Sequence, residues 1–362
     1  VAVTGDPSFE HSRHLVALIA EVERLATLVD DLDVEGPVAD DLRAAACVAT
    51  LRLDGSTITA PPRPDDLDAL RATAPTVPET QDVGSGTWLD ALATYFHLED
   101  ADDTRIWTIE YLAAQHALAS DDLAKRMPAD LVGAVAELHG RVTRGLVAPD
   151  AAGVLRRSDL AVQDRSVGRV LYYPSDPDQI ERDLHLLAAW VESSAAREHG
   201  LVASGVVLYE LLRIHPFLSA NGRLARTAAR LLLRARGLDP AGLAIAEVAL
   251  ATNPLVSYEQ VAKSMRRRDL TIWLETWSEA VAAGLRRSLL ALGGLRADVP
   301  DRASRFLRDR PEGRFTIADY RAEADVGPDD SRTDLQTLLD AGRIERVLGA
   351  RGLAFTVATA DV

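Results

Sequence analysis

The chain has one cysteine, Cys47, so no internal disulfide can form, and the pattern fits a reducing, cytoplasmic setting. Long hydrophobic runs are missing as well. Arg or Asp interrupts every apolar stretch before it reaches the length of a membrane span, which argues against a membrane role. The first residues, Val-Ala-Val-Thr-Gly-Asp, lack a signal-peptide pattern. Positive charge is in deficit: the net charge is −15, so the chain as a whole repels nucleic acid and anionic lipid. Lysine is nearly absent, with Lys125 and Lys263 the only two among 40 basic residues, so local positive sites must be built from arginine. Aromatics make up only 5%, which beside abundant Ala and Leu suits helical packing.

What is present is Ala and Leu, in a chain of 362 residues that is 47% hydrophobic. That length and composition support a sizeable helical core and two or three domains. Helical spacing runs over His11–Val29, Asp41–Asp54, Trp88–Phe96, Arg105–Ala119 and Ala129–Arg144, after a flexible lead at residues 1–12. Pro61–Pro64 and Ala74–Gly86 read as loops. Between Gly145 and Pro174 two β-like pieces, Leu160–Val162 and Arg169–Tyr173, flank a polar centre and suggest a two-stranded flap. Helices then resume from Asp178 to about Ala291. His11 and His14 have helical metal-ligand spacing, but no Cys or acidic cluster joins them.

The stretch His215-Pro-Phe-Leu-Ser-Ala-Asn-Gly-Arg-Leu-Ala-Arg226 carries the chemistry. It lies between two helical runs, so Asn221-Gly222 forms a turn and opens the second helix. The free N–H groups of a helix N-terminus attract anions. Arg223 and Arg226 are three apart on one helical face, and each guanidinium can fork onto phosphate oxygens. His215 supplies a base near neutral pKa at the rim. Together these residues point to phosphate chemistry at a hydroxyl.

The stretch resembles the motif of the Fic (filamentation-induced) family, His-Pro-Phe-x-(Asp/Glu)-Gly-Asn-Gly-Arg-x-x-Arg. Leu138–Arg141 and Gly153–Arg156 are similar to the segment leading into the family's flap. Tyr172-Tyr173-Pro174 and Asp178–Ser193 resemble the flap exit and the next helix, and Tyr258–Trp277 the helix that closes the core. The resemblance implies a mainly α fold, a helical bundle with a short β-hairpin flap. It implies AMP transfer from ATP to a Ser, Thr or Tyr hydroxyl of a protein, the chain itself included, and a homodimer. By position His215 would be the base, Phe217 the loop anchor, Asn221, Gly222 and Arg223 the phosphate cradle, and Arg226 the γ-phosphate contact. The flap edge at Tyr172 and Tyr173 would receive the target segment. Two positions depart from the pattern. Ser219 stands where the family has an acidic Mg²⁺ ligand, and a neutral hydroxyl is a poor substitute. Ala220 stands where the family has Gly.

Thr50-Leu-Arg-Leu-Asp54-Gly55 resembles the family's inhibitory motif, in which the acid pairs with the second motif arginine, here Arg226. Its helix, Asp41–Asp54, would be capped by Asp40 or Asp41 and ended by Gly55. From Val299 on, three helical pieces and a hairpin around Gly349–Gly352 suggest a winged helix-turn-helix. That segment has ten Arg against thirteen acidic residues from Asp298 onward, so DNA binding ranks below dimerisation or target docking; Arg332, Arg343, Arg346 and Arg351 form the one candidate basic edge. The expected division is an N-terminal helical region to residue 84, a Fic-like core over 85–297 and the winged helix over 298–362. The alternative is a silent or altered-donor Fic module that binds nucleotide, docks protein or regulates DNA.

Overall fold

A computed structural model describes residues 7–32, 34–63, 65–66, 103–147, 150–164, 168–194, 197–239, 241–295, 298–308, 310, 313–348 and 354–358. The stretches 74–86 and 88–96, and the turn at 349–352 with its Arg351, lie outside these residues.

The described chain is mainly helical. Helix α1 spans Arg13–Asp30, α2 Pro37–Leu53, α3 Asp103–Leu118, α4 Asp121–Arg126 and α5 Leu131–Val142. Strands β1 (Val162–Asp164) and β2 (Arg169–Tyr172) pair antiparallel. Next come α6 (Ile180–Ser194), α7 (Gly200–Ile214), α8 (Asn221–Ala235), α9 (Ala246–Leu250), α10 (Pro254–Arg267) and α11 (Thr271–Ala291). Then follow α12 (Asp301–Arg308), β3 (Arg314–Thr316), α13 (Ile317–Ala324), α14 (Pro328–Asp340), β4 (Ile344–Arg346) and β5 (Ala354–Val357).

Helix α7 is the axis of the bundle, because every one of its fifteen residues is buried. Its two charged residues, Glu210 and Arg213, pair with each other (2.7 Å), and α6, α8 and α11 pack around the helix. Gly205 sets its distance from α11: a Cβ there would stand 2.8 Å from both Leu274 Cδ2 and Trp277 Cδ1. Trp273 and Trp277 of α11 bring their own polar atoms and donate to Gly205 O (2.7 Å) and Ser204 Oγ (2.8 Å). Helices α1 and α2 contribute Leu15, Val22, Leu25, Leu42 and Leu53 to this same core.

A second, smaller core holds Phe306, Phe315, Tyr320, Leu335, Leu338, Leu339, Ile344 and Phe355. Around it α12, α13 and α14 pack with an antiparallel sheet ordered β3-β5-β4. Strand β3 was not legible in sequence, since three residues give no periodicity. Thr316 ends it and opens α13 through a capping box with Asp319. An ionic cluster ties this unit to the main bundle. Glu21 of α1 accepts from Arg286 of α11 and from Arg346 (2.8 Å), and Asp340 takes Arg286 (3.2 Å) and Arg24 (3.0 Å). Of the expected basic edge, Arg343 is exposed and Arg351 lies outside the described residues. Arg346 turns inward to Glu21, and Arg332 pairs with Asp329 of its own helix.

Several boundaries differ from the sequence reading. Helix α2 starts at Pro37, four residues early, because Gly36 (φ 103°) delivers the chain into it and proline's fixed φ suits the first helical position. Asp40 thus lies inside the first turn and caps nothing. Strand β1 begins where Leu160–Val162 was expected to end. Tyr258–Trp277 is two helices, parted where Arg268 turns left-handed at φ 55°. Residues 7–12 are tied down: Ser8 O accepts from Leu270 N (2.9 Å), and Ser12 Oγ donates to Glu275 (2.5 Å). His14 bonds Glu279 at 2.9 Å.

Candidate active site

The site forms where α7 ends and α8 begins. His215 closes α7 in the left-handed region (φ 49°), with its N–H on Leu211 O. Its Nδ1 lies 2.7 Å from Leu212 O. A carbonyl only accepts, so Nδ1 carries the proton and Nε2 keeps a lone pair. Burial is the main cause that holds this imidazole down, to about 4, and Arg156 adds to it; the Leu212 bond and Asp54 push the other way. The expectation of a base near neutral pKa is thus corrected. The ring is neutral throughout the physiological range because it is desolvated.

The loop is held from inside. Phe217 is 1% exposed and stacks on His139 with centroids 4.0 Å apart. Asn221 braces it by accepting from Phe217 N (3.0 Å) and donating to Phe217 O (2.8 Å). Ala220 takes the left-handed turn at φ 53°, a conformation costing a non-glycine residue about 1–2 kcal/mol. It offers no side-chain cap to α8, so the first N–H groups of that helix are left for an anion.

Asp54, the C-cap residue of α2, reaches that point. Its Oδ1 accepts from Arg226 Nη2 at 2.6 Å, and its Oδ2 lies 3.1 Å from Arg223 Nε. Thr50, one turn earlier, accepts from Arg226 through both Oγ1 and its carbonyl, each at 2.8 Å. Gly55, at φ 93°, lets the chain leave the helix as the sequence reading expected. Gly222 leaves room for the carboxylate: a Cβ there would stand 2.5 Å from Asp54 Oδ1 and 2.7 Å from Tyr258 Oη. Burial alone would lower the Arg226 guanidinium, but Asp54 and Tyr258 outweigh it and hold it above the ordinary value.

Residues 131–233 match the family model described as "Fic/DOC family". The chain carries a Fic/DOC family domain. A Fic family protein from Desulfovibrio desulfuricans G20 superposes with a TM-score of 0.59, at 19% identity over 99% of both chains. Fic-1 from C. elegans superposes at 0.51, with 17% identity over 77% of this chain and 73% of that one. At such identities the likeness is one of fold.

Within the Fic/DOC domain the structure brings together His215, Phe217, Asn221, Gly222, Arg223 and Arg226, with Thr50 and Asp54 arriving from outside the matched segment. Asn221 turns its carboxamide onto the loop, where Oδ1 and one Nδ2 hydrogen serve Phe217, and its second Nδ2 hydrogen and its backbone N–H are not used by these bonds. The Tyr172 side chain turns inward: it is 6% exposed, donates to Leu212 O (3.0 Å) and sits edge-on to His215. Tyr173 is 69% exposed and remains on the flap surface.

Three residues were missed. Arg156 is buried behind the loop and donates to His215 O (2.7 Å), Ser158 O (2.7 Å), Ile214 O (3.3 Å) and Ser175 O. It caps the C-terminus of α7 and ties it to the flap, and its place in Gly153–Arg156 was a usable signal. Tyr258 of α10 contacts Arg226. Glu110 of α3 stands 3.1 Å from Arg223 Nη2, and nothing in its local sequence marks it. Burial raises its carboxyl, with Arg223 opposing.

The donor set does not fit a Mg²⁺ site made by protein carboxylates. Ser219 offers one neutral oxygen, and among the described residues no group of three or more His, Cys, Asp or Glu could hold a metal. No helix of the described chain is long and apolar enough to cross a membrane.

Proposed function

We propose that the protein transfers AMP from ATP to a Ser, Thr or Tyr hydroxyl of a protein, and that Asp54 restrains the reaction. The observation that carries this reading is the seating of one carboxylate across both motif arginines, at the open N-terminus of α8. An anion is already accommodated where phosphates would lie. With Asp54 displaced, Arg223, Arg226 and the N–H groups of Gly222 and Arg223 would hold the phosphates. His215 Nε2 would take the target's hydroxyl proton as its oxygen bonds the α-phosphorus. The bond from that phosphorus to the pyrophosphate oxygen breaks, and pyrophosphate leaves. Arg156 and Asn221 keep the loop in shape and touch no reacting atom.

The test is label transfer from α-³²P-ATP, scored on the chain itself and on cell lysate. We expect about a tenfold or greater gain for Asp54→Gly over wild type, and loss of that gain when His215→Ala is added. No labelling in any variant that binds ATP would overturn transfer. A second reading, a phosphate-sensing module without transfer, is favoured by Ser219. Under it Ser219→Asp, added to Asp54→Gly, should bring Mg²⁺-dependent labelling to a silent protein.

A further inference from the structure

Arg223 is gripped from two helices. Asp54 approaches its Nε and Glu110 its Nη2, each at 3.1 Å. Asp54 also neutralises Arg226. Two guanidinium charges thus face two carboxylate charges, anchored independently on α2 and α3. Both arginines are more than nine-tenths buried, so a ligand reaches them only by taking the place of the acids. Their donor capacity is not exhausted: Nε and Nη1 of Arg223 are buried with no hydrogen-bond acceptor. An anion with more oxygens than the two carboxylates present would be held better than they are.

We propose that Glu110 acts with Asp54 as a two-acid gate that makes this site selective for anions with two adjacent phosphate groups. The inference rests on the phosphate-site reading given above. A single phosphate that displaces Asp54 pairs with Arg226 and part of Arg223. It then stands beside the Glu110 carboxylate, and two like charges in one buried site repel strongly. A diphosphate supplies a separate group to each guanidinium and displaces both acids together. Glu110 therefore works as a positioning and specificity residue, with no part in bond making.

Titration calorimetry with inorganic orthophosphate and inorganic pyrophosphate tests this on the full chain, for wild type, Asp54→Asn, Glu110→Gln and Glu110→Ala. We expect wild type to favour pyrophosphate by about 100-fold, and both Glu110 variants to narrow the preference to about tenfold or less by strengthening orthophosphate. Glu110 is only partly buried, so both variants should fold, and thermal melts report whether they do. An unchanged ratio, equal weakening of both anions, or no binding of either anion in any folded variant overturns the gate. AMP transfer is scored separately. A shifted anion preference without labelling leaves the gate and removes the transferase reading. Labelling in Asp54→Asn with an unmoved preference does the reverse.

Discussion

Asp54 Oδ1 accepts a 2.6 Å hydrogen bond from Arg226 Nη2, joining the C-cap residue of α2 to the second arginine of the motif helix. The other carboxylate oxygen faces Arg223, so one short side chain spans both arginines. Aspartate is one methylene shorter than the glutamate of the inhibitory motif it resembles. The contact is nevertheless made, because Gly222 presents no Cβ and the carboxylate can lie close to the α8 backbone.

That close approach predicts a coupling between positions 222 and 54. Gly222→Ala should cost about 1–3 kcal/mol of stability in the wild type, where the new methyl group crowds Asp54 and Tyr258. In an Asp54→Gly background one of the two obstructions is gone and the cost should shrink by at least about 0.5 kcal/mol. Urea unfolding of the four proteins of this cycle measures the difference, and strict additivity would count against the packing described.

Ala220 holds a left-handed turn that glycine would hold without steric cost. Ala220→Gly should therefore stabilise the protein by about 0.5–1 kcal/mol, after the extra chain entropy of glycine is subtracted. The urea midpoint should rise at unchanged slope. A fall would mean that the Ala methyl group makes contacts worth more than the strain.

Arg156 serves four carbonyls from one planar group, and an ammonium cannot reproduce that fork. Arg156→Lys should cost about 2–4 kcal/mol, since carbonyls at the end of α7 lose buried donors. The same loss should loosen the His215 ring. In an Asp54→Gly background, labelling should drop further than stability alone accounts for, as measured well below the melting temperature.

Acid should destabilise the protein earlier than its carboxylates alone would dictate. His139 and His215 are both held down to about 4 by burial, below the ordinary value of 6.5. Between pH 6.5 and 4 the unfolded chain binds protons at these rings that the folded chain does not, so stability falls as pH drops through that window. Above 6.5 they contribute no slope. Each accounts for up to about 3 kcal/mol, and His215→Gln should flatten the slope of stability against pH between 6.5 and 4.5. By the same argument, labelling that depends on His215 should show no acid limb near 6.5.

The sequence alone determined the helical class, the loop between α7 and α8 and the identity of the charged groups around it. Those features are local: helical periodicity, an Asn-Gly turn, and arginines at fixed offset on one helical face. It also carried the pairing of Asp54 with Arg226, but only by resemblance, since residues 54 and 226 have no local relation. Tertiary structure decided the rest. Burial against Leu212 and Arg156 set the proton on His215 Nδ1 and moved its pKa, and no run of letters encodes desolvation. Packing of α7 turned Tyr172, the last residue of β2, inward while Tyr173, just past the strand, stayed exposed. Glu110 became part of the site only because α3 crosses beside the N-terminus of α8. Charge pairing between distant helices is a property of their placement, and that is fixed by the whole core.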